Sequence, residues 1–196
     1  MIAAVGHADL TPGTLKLVEA ELRAVLERLP GQQSGLVRAG AGAPVVFGRA
    51  VRAAGRPLVV VIPAHRTVPA IPPWRDRAAT GELLTLAQQV RLLAYDPGDR
   101  DACVGADERM VADCGRLVAV WDGSPSNGRD ATAHLVAYAR AHGVPVEVVW
   151  PAGAVREAAP GAPEQDGGRG PRDVTHPSAV VGTEPTQSTS EAEQLR

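Results

Sequence analysis

The chain is 196 residues long, 44% hydrophobic but only 3% aromatic, with a formal charge of −2. Charge is close to balanced along it: residues 1–151 hold 16 basic and 15 acidic side chains, and residues 152–196 hold 4 and 7. That balance argues against a polycation gripping nucleic acid through its phosphates, and no apolar run approaches the ~20 residues of a membrane span.

The N-terminus, MIAAVGHADL, lacks the basic n-region of a signal peptide, so a cytoplasmic location is expected. Ile2–Val5 reads as a buried strand running into the turn Gly6-His7-Ala8-Asp9-Leu10-Thr11. A helix follows, with Thr11 as N-cap, Pro12 in the first helical position, and Leu15, Val18, Leu22, Val25 and Leu29 recurring every three or four residues. Gly35–Arg38 is the second strand, and a glycine-rich turn through Gly40 and Gly42 leads to a helix from Pro44 to Gly55. The third strand, Leu58–Ile62, runs into a proline-rich loop over His65–Arg75. A helix over Asp76–Val90, a strand at Leu92–Tyr95 and a helix over Asp101–Cys114, with Asp101 as cap, come next. Strand Leu117–Trp121, a polar turn over Asp122–Arg129, a helix over Asp130–His142 and strand Val146–Trp150 complete the pattern.

Strands alternating with helices predict an α/β protein, a three-layer α/β/α Rossmann-like domain over residues 1–152 with a mostly parallel sheet of about six strands. From Gly153 the chain is rich in Gly, Pro, Ser, Thr and Glu, so residues 153–196 are expected to form a disordered tail. Cys103 and Cys114 fall on one predicted helix, about 16 Å apart at ~1.5 Å per residue, which is too far for a disulfide. They read as free thiols of a reducing compartment.

In a parallel sheet, ligands sit beyond the carboxyl ends of the strands, against helix N-termini. Three turns are candidates. After the first strand, Gly6 permits close backbone approach while His7 and Asp9 are placed to meet a base, ribose or phosphate. Around the second strand, Ser34, Gly35, Leu36, Arg38 and Gly42 form a glycine-rich stretch that lacks both the GxGxxG spacing and the Lys-Ser/Thr ending of a P-loop. After the fifth strand, Asp122 is placed for ribose hydroxyls, while Gly123, Ser124, Ser126, Gly128 and Thr132 offer amides and hydroxyls to phosphate. Arg66 and Arg100 lie in predicted strand-end loops where either could pair with phosphate. His134 is expected to interact with Asp130 one helical turn earlier. No His/Cys/Asp/Glu cluster has zinc-like spacing, so no metal is expected, and there is no GxSxG elbow.

Taken in order, these turns resemble the SLOG superfamily of Rossmann-like nucleotide-binding domains, a group that includes the "lonely guy" phosphoribohydrolases and DNA-processing protein A. Its small bacterial members carry GHxDLT after strand one, an SGLxxGAD-like turn before helix two, and WDGxPxxGxGGT near the end. The counterparts are Gly6–Thr11, Ser34-Gly35-Leu36 with Gly42-Ala43-Pro44, and Trp121–Pro125 with Gly128–Thr132. The second turn is three residues longer, with Pro44 in place of Asp, and the final Gly-Gly-Thr becomes Asp130-Ala131-Thr132. Leu135 stands where the related hydrolases carry their catalytic Glu.

The resemblance therefore implies a binding module for a nucleotide or phosphorylated ribose derivative, a non-catalytic sensor or partner protein with no catalytic residues of its own. Two alternatives stand beside it: a nucleoside 5′-monophosphate hydrolase using an atypical carboxylate such as Asp9 or Asp122, and a DNA-binding, recombination-associated protein. A homodimer is expected from the resemblance, and a membrane partner is not.

Overall fold

A computed structural model of the protein describes residues 1–157. The strands are β1 (Ile2–Gly6), β2 (Gly35–Arg38), β3 (Leu58–His65), β4 (Val68–Pro69), β5 (Gln89–Ala94), β6 (Arg116–Val120) and β7 (Val146–Val149). The helices are α1 (Pro12–Arg28), α2 (Ala43–Ala53), α3 (Arg77–Leu86), α4 (Arg100–Ala112) and α5 (Thr132–Ala141), with a 3-10 turn at Trp74–Asp76. All strand pairings are parallel except the short β3–β4 hairpin. The main path runs β4-β3-β2-β1-β6-β7, and β5 also pairs with β3.

The central strands β1, β2, β3 and β6 are buried on both faces, as a parallel sheet requires, whereas the edge strands β4 and β5 are largely exposed. Ile2, Ala4, Val118 and Val120 face one core with Val18, Leu22 and Leu26 of α1, Phe47 and Val51 of α2, and Leu83 of α3. Ala3, Val5, Leu117 and Ala119 face the other with Met110 and Val111 of α4 and Leu135, Val136 and Ala139 of α5. The expected three-layer α/β/α architecture is therefore observed, built almost wholly from aliphatic side chains.

Thr11 caps α1, accepting from the Thr14 N–H at 3.3 Å. The far end of α1 is closed by the buried Arg56, which donates to the carbonyls of Leu26 at 2.8 Å, Leu29 at 2.7 Å and Gly31 at 2.6 Å. Several local expectations are corrected. The helix predicted over Asp76–Val90 ends at Leu86, because Gln88 docks on Leu58 through both its N–H and its side-chain carbonyl and starts strand β5 at Gln89. Asp99, rather than Asp101, caps α4, accepting from the Asp101 N–H at 3.0 Å. The His65–Arg75 stretch contains β4 and part of the 3-10 turn. Residues 153–157, placed in the tail by composition, pack on the domain: Val155 exchanges hydrogen bonds with the Thr14 hydroxyl at 2.7 and 2.8 Å, and the Glu157 N–H reaches Asp9 O at 2.7 Å. The rest of the expected tail lies outside the described residues. No described helix is long and apolar enough to cross a membrane.

Candidate functional site

The sheet path turns back between β1 and β6: from β1 the chain builds outward to β2 and β3, and β6 returns on its other side. A crevice opens at the carboxyl ends of strands at such a point. Gly6 sits there, level with Val120, and the backbones approach so closely that a Cβ on Gly6 would lie 2.7 Å from Val120 Cβ and 2.8 Å from Ala43 Cβ. The neighbouring turn locks on to it. The Ala43 N–H donates to His7 O at 3.0 Å, and Gly42, at φ 73°, has no room for a Cβ beside His7 O and Ala8. Both glycines are required by backbone contact.

His7 is buried, edge-on to Trp150 with ring centroids 5.6 Å apart. Its Nδ1 bonds the Asp130 carboxylate and its Nε2 lies 3.0 Å from Asp122 Oδ1. Burial pushes the imidazole pKa down, but the hydrogen bond and charge of Asp130, helped by Asp122, outweigh it and hold the pKa above its ordinary value. Burial would raise Asp122, yet hydrogen bonds from Ser124 and His7 bring it down to about 2, and Asp130 is depressed in the same way by His7 and Thr132. When neutral, the ring can keep Asp130 through Nδ1–H and accept the Asp122 N–H at Nε2, 3.2 Å away.

Over this trio lies Arg156. Its guanidinium makes a bidentate pair with Asp9, 2.9 Å to each oxygen, and reaches Ser124 Oγ at 3.2 Å, Asp130 Oδ2 at 3.4 Å and Asp122 Oδ2 at 3.6 Å. One cation thus joins carboxylates from two βα turns. The fold also brings one ligand atom each of His7, Asp9 and Asp130 within 4.8 Å of one another, a cluster invisible to sequence spacing, and Arg156 already supplies positive charge to both carboxylates. Consequently His7, Asp9, Asp122 and Ser124, expected to face a ligand, spend their polar atoms on one another and on Arg156. His134 is likewise redirected, pairing with Glu108 on α4 at 2.7 Å while Asp130 turns to His7.

Beside this cluster, on the α4–α5 side, a cavity of about 160 Å³ is lined by Gly6, Arg38, Arg100, Arg129, Thr132 and Leu135, among others. Asp107 and Asp130 are its carboxylates and Cys103 its thiol. Arg38 forks on to Asp107 at 2.7 and 2.9 Å, which holds the guanidinium charged despite its burial. Burial pushes the nearby Tyr95 phenol up to about 12 and raises the Cys103 thiol, so both stay protonated at neutral pH. Arg100 leans on Asn127 O at 2.9 Å and Asp101 at 3.3 Å. The first turn of α5 is partly satisfied from within: the Thr132 N–H donates to Asp130 at 2.7 Å and the His134 N–H to Ser126 Oγ at 2.9 Å. The groups left with free hydrogen-bonding capacity towards the cavity are therefore chiefly arginine side chains.

Of the expected site residues, Gly6, Arg38 and Thr132 line this cavity, as does Arg100, one of the two strand-end arginines expected to suit phosphate. Ser34, Gly35 and Leu36 do not approach it. Gly35 is level with Ile2 and Leu58, the first residues of their strands, so these three lie at the amino end of the sheet. The glycine is there because Val51 of α2 packs 2.6 Å from where its Cβ would be. Gly123, at φ 87°, makes the turn that lets the Asp122 carboxylate accept from the Ser124 N–H at 2.8 Å, and Gly128 is exposed in the loop between Asn127 and Arg129. Arg100, Arg129 and Arg156 are the residues that the turn motifs passed over or under-weighted.

No protein-family model matches the chain, and no curated protein does. Among solved structures it is similar to the molybdenum cofactor carrier protein of Chlamydomonas reinhardtii, at 18% identity over 75% of this chain and 74% of that one, with a TM-score of 0.48. It is also similar to DNA processing protein A of Streptococcus pneumoniae, at 13% identity over 76% of this chain, with a TM-score of 0.55. The chain spans 50% of the length of that protein. The second likeness shows a shared fold, a Rossmann-like α/β domain.

Proposed function

We propose that this chain is a non-catalytic binding module for a phosphorylated small molecule, a nucleotide or a phosphorylated ribose derivative, held by its phosphate at the β1–β6 crest. The observation that carries the reading is the charge of the cavity: Arg38, Arg100 and Arg129 against Asp107 and Asp130, around the Gly6 backbone and the start of α5. Arg38 and Asp107 neutralise each other, and Asp130 is committed to His7, Thr132 and Arg156. Arg100 and Arg129 remain as the groups able to turn a guanidinium fork towards phosphate. The same atoms leave no group free for catalysis. Both cavity carboxylates are engaged, Leu135 occupies the wall where the resemblance would put a Glu, and the Cys103 thiol stays protonated. Glycosidic cleavage requires a base or nucleophile free to exchange with the ligand.

Calorimetry and thermal unfolding with inorganic phosphate, nucleoside monophosphates and ribose 5-phosphate test the proposal. Ligand at a hundredfold excess over Kd stabilises by about 2.7 kcal/mol, which for a domain of this size is a rise of roughly 5–10 °C. Arg100→Ala and Arg129→Ala should each weaken binding by about tenfold or more, the worth of a hydrogen bond to a charged group. A flat response to every phosphate compound ends the reading, and release of free base from a monophosphate ends its non-catalytic half.

A further inference from the structure

The cavity at the crest is smaller than the roughly 300–1,000 Å³ of sites that enclose whole ligands, so a phosphate seated in it must leave the rest of its molecule outside. A second cavity, of about 420 Å³, lies next to it between the N-terminal halves of α4 and α5, and Arg100, Val104 and Ala131 line both. Arg100 thus stands at the junction, where one phosphate could touch it while the attached group continues into the second space.

The walls of that second space are polar in a particular way. Glu108 and His134, paired at 2.7 Å with side chains 31% and 50% exposed, line it together with Ser126 and Asp101. A hydrogen-bonded pair this exposed contributes little to folding, so its atoms can exchange partners with a ligand at small cost. A carboxylate that accepts and an imidazole that donates or accepts match vicinal hydroxyls. Among the described residues no Phe, Tyr or Trp lines either cavity, and the flat groups that do are already engaged, His134 with Glu108 and Arg100 with Asn127 and Asp101, so a nucleobase finds no free surface to stack on.

We infer that the protein selects the phosphate monoester of a polyhydroxylated group, a sugar phosphate, reading the phosphate beside Arg100 and the hydroxyls through Glu108 and His134, and leaves any attached base in solvent. Glu108 and His134 are then specificity-determining residues. This rests on the phosphate seat proposed above.

Calorimetry on the full chain with inorganic phosphate, ribose 5-phosphate, adenosine 5′-monophosphate and cytidine 5′-monophosphate decides it. Ribose 5-phosphate should bind about tenfold or more tighter than inorganic phosphate, since at least one charge-assisted hydrogen bond is added. The two nucleotides should agree with ribose 5-phosphate within about threefold, because stacking, which would separate them, is missing. Glu108→Gln and His134→Ala should weaken ribose 5-phosphate while leaving inorganic phosphate unchanged. The ligand series needs no variant, so it decides even if a substitution impairs folding. Equal affinity for phosphate and ribose 5-phosphate, a nucleotide more than tenfold tighter than ribose 5-phosphate, or equal losses for both ligands in the variants would overturn the inference while sparing the phosphate seat. No binding of any of the four, phosphate included, removes the seat and the inference together.

Discussion

Replacing Arg156 by Ala tests whether the strap of residues 154–157 is an integral part of the domain. The bidentate pair with Asp9 is half in solvent, Asp9 being 44% exposed, so its loss costs about 0.5–1 kcal/mol. Asp130 is only 9% exposed and keeps His7 but loses its second cation, and Asp122 and Ser124 lose a shared donor. Weakening a charged, mostly buried group in this way adds about 1–2 kcal/mol. The sum, about 2 kcal/mol, corresponds to a fall in Tm of roughly 4–8 °C. Arg156→Lys, which keeps the charge but cannot fork on to Asp9, should fall between wild type and Ala. Amide exchange at Val155 and Glu157, whose N–H groups bond Thr14 and Asp9, should accelerate in the Ala variant. An Ala variant that melts within about 1 °C of wild type, with unchanged exchange, would show that the guanidinium does not hold the strap and that the three aspartates tolerate one another without it.

Gly6→Ala should cost about 3 kcal/mol or more, because the new methyl meets backbone and Cβ atoms under 3 Å away that cannot swing aside; a variant with native Tm contradicts the close approach of β1 and β6. Gly35→Ala should cost about 1–3 kcal/mol by crowding Val51, yet leave affinity for inorganic phosphate unchanged, since it sits at the opposite end of the sheet; weakened binding would put the ligand elsewhere. The His7 network sets a pH dependence. Its folded pKa is raised, so its contribution is complete below the unfolded value of about 6.5 and is lost as pH climbs through the folded value. Asp122, held at about 2, contributes above the ordinary carboxylate value and loses that contribution as pH falls towards about 2. Thermal scans should therefore show Tm declining as pH rises past neutrality, and Asp130→Asn, which removes the principal raising partner of His7, should flatten that decline; an unchanged slope in the variant would show that another group titrates.

The architecture was legible because it is written in period and punctuation. Strands β1, β2, β6 and β7 fall within a residue or so of the apolar runs that announce them, and Thr11 caps α1 through a local bond readable from Thr11-Pro12. The overlong third helix has a long-range cause. Gln88 ends the predicted third long helix by bonding Leu58, thirty residues away, and no helical pattern contains that information. The second turn shows the same limit in register. Ser34-Gly35-Leu36 has the composition of a phosphate loop, but a four-residue strand begins at Gly35, and pairing with Ile2 puts its first residue at the wrong end. Composition gives the residue types of a turn, whereas register gives the edge of the sheet on which they emerge.

The site itself was harder to read because its polar groups satisfy one another at long range. His7 is separated from both Asp122 and Asp130 by more than a hundred residues, and Arg156 lies 147 residues from Asp9 in a segment whose Gly, Pro and Glu content reads as tail. A weak local signal existed, the short Ala154-Val155-Arg156 sequence just beyond the last strand, but an isolated arginine after a strand has no partner until the fold supplies one. Once it does, the crest divides into two halves of different fate. On one side three aspartates and a histidine are filled by an internal cation, and on the other Arg100 and Arg129 face a cavity with its aspartates already engaged. Carboxylates that look poised for ribose hydroxyls in the sequence are thus consumed in holding the turns together. In the proposed reading an anion is recognised by Arg129, a variable position within the last turn motif, and by Arg100, outside all three motifs, which is why substitutions at Arg100 and Arg129, rather than at His7 or Asp9, should separate binding from folding.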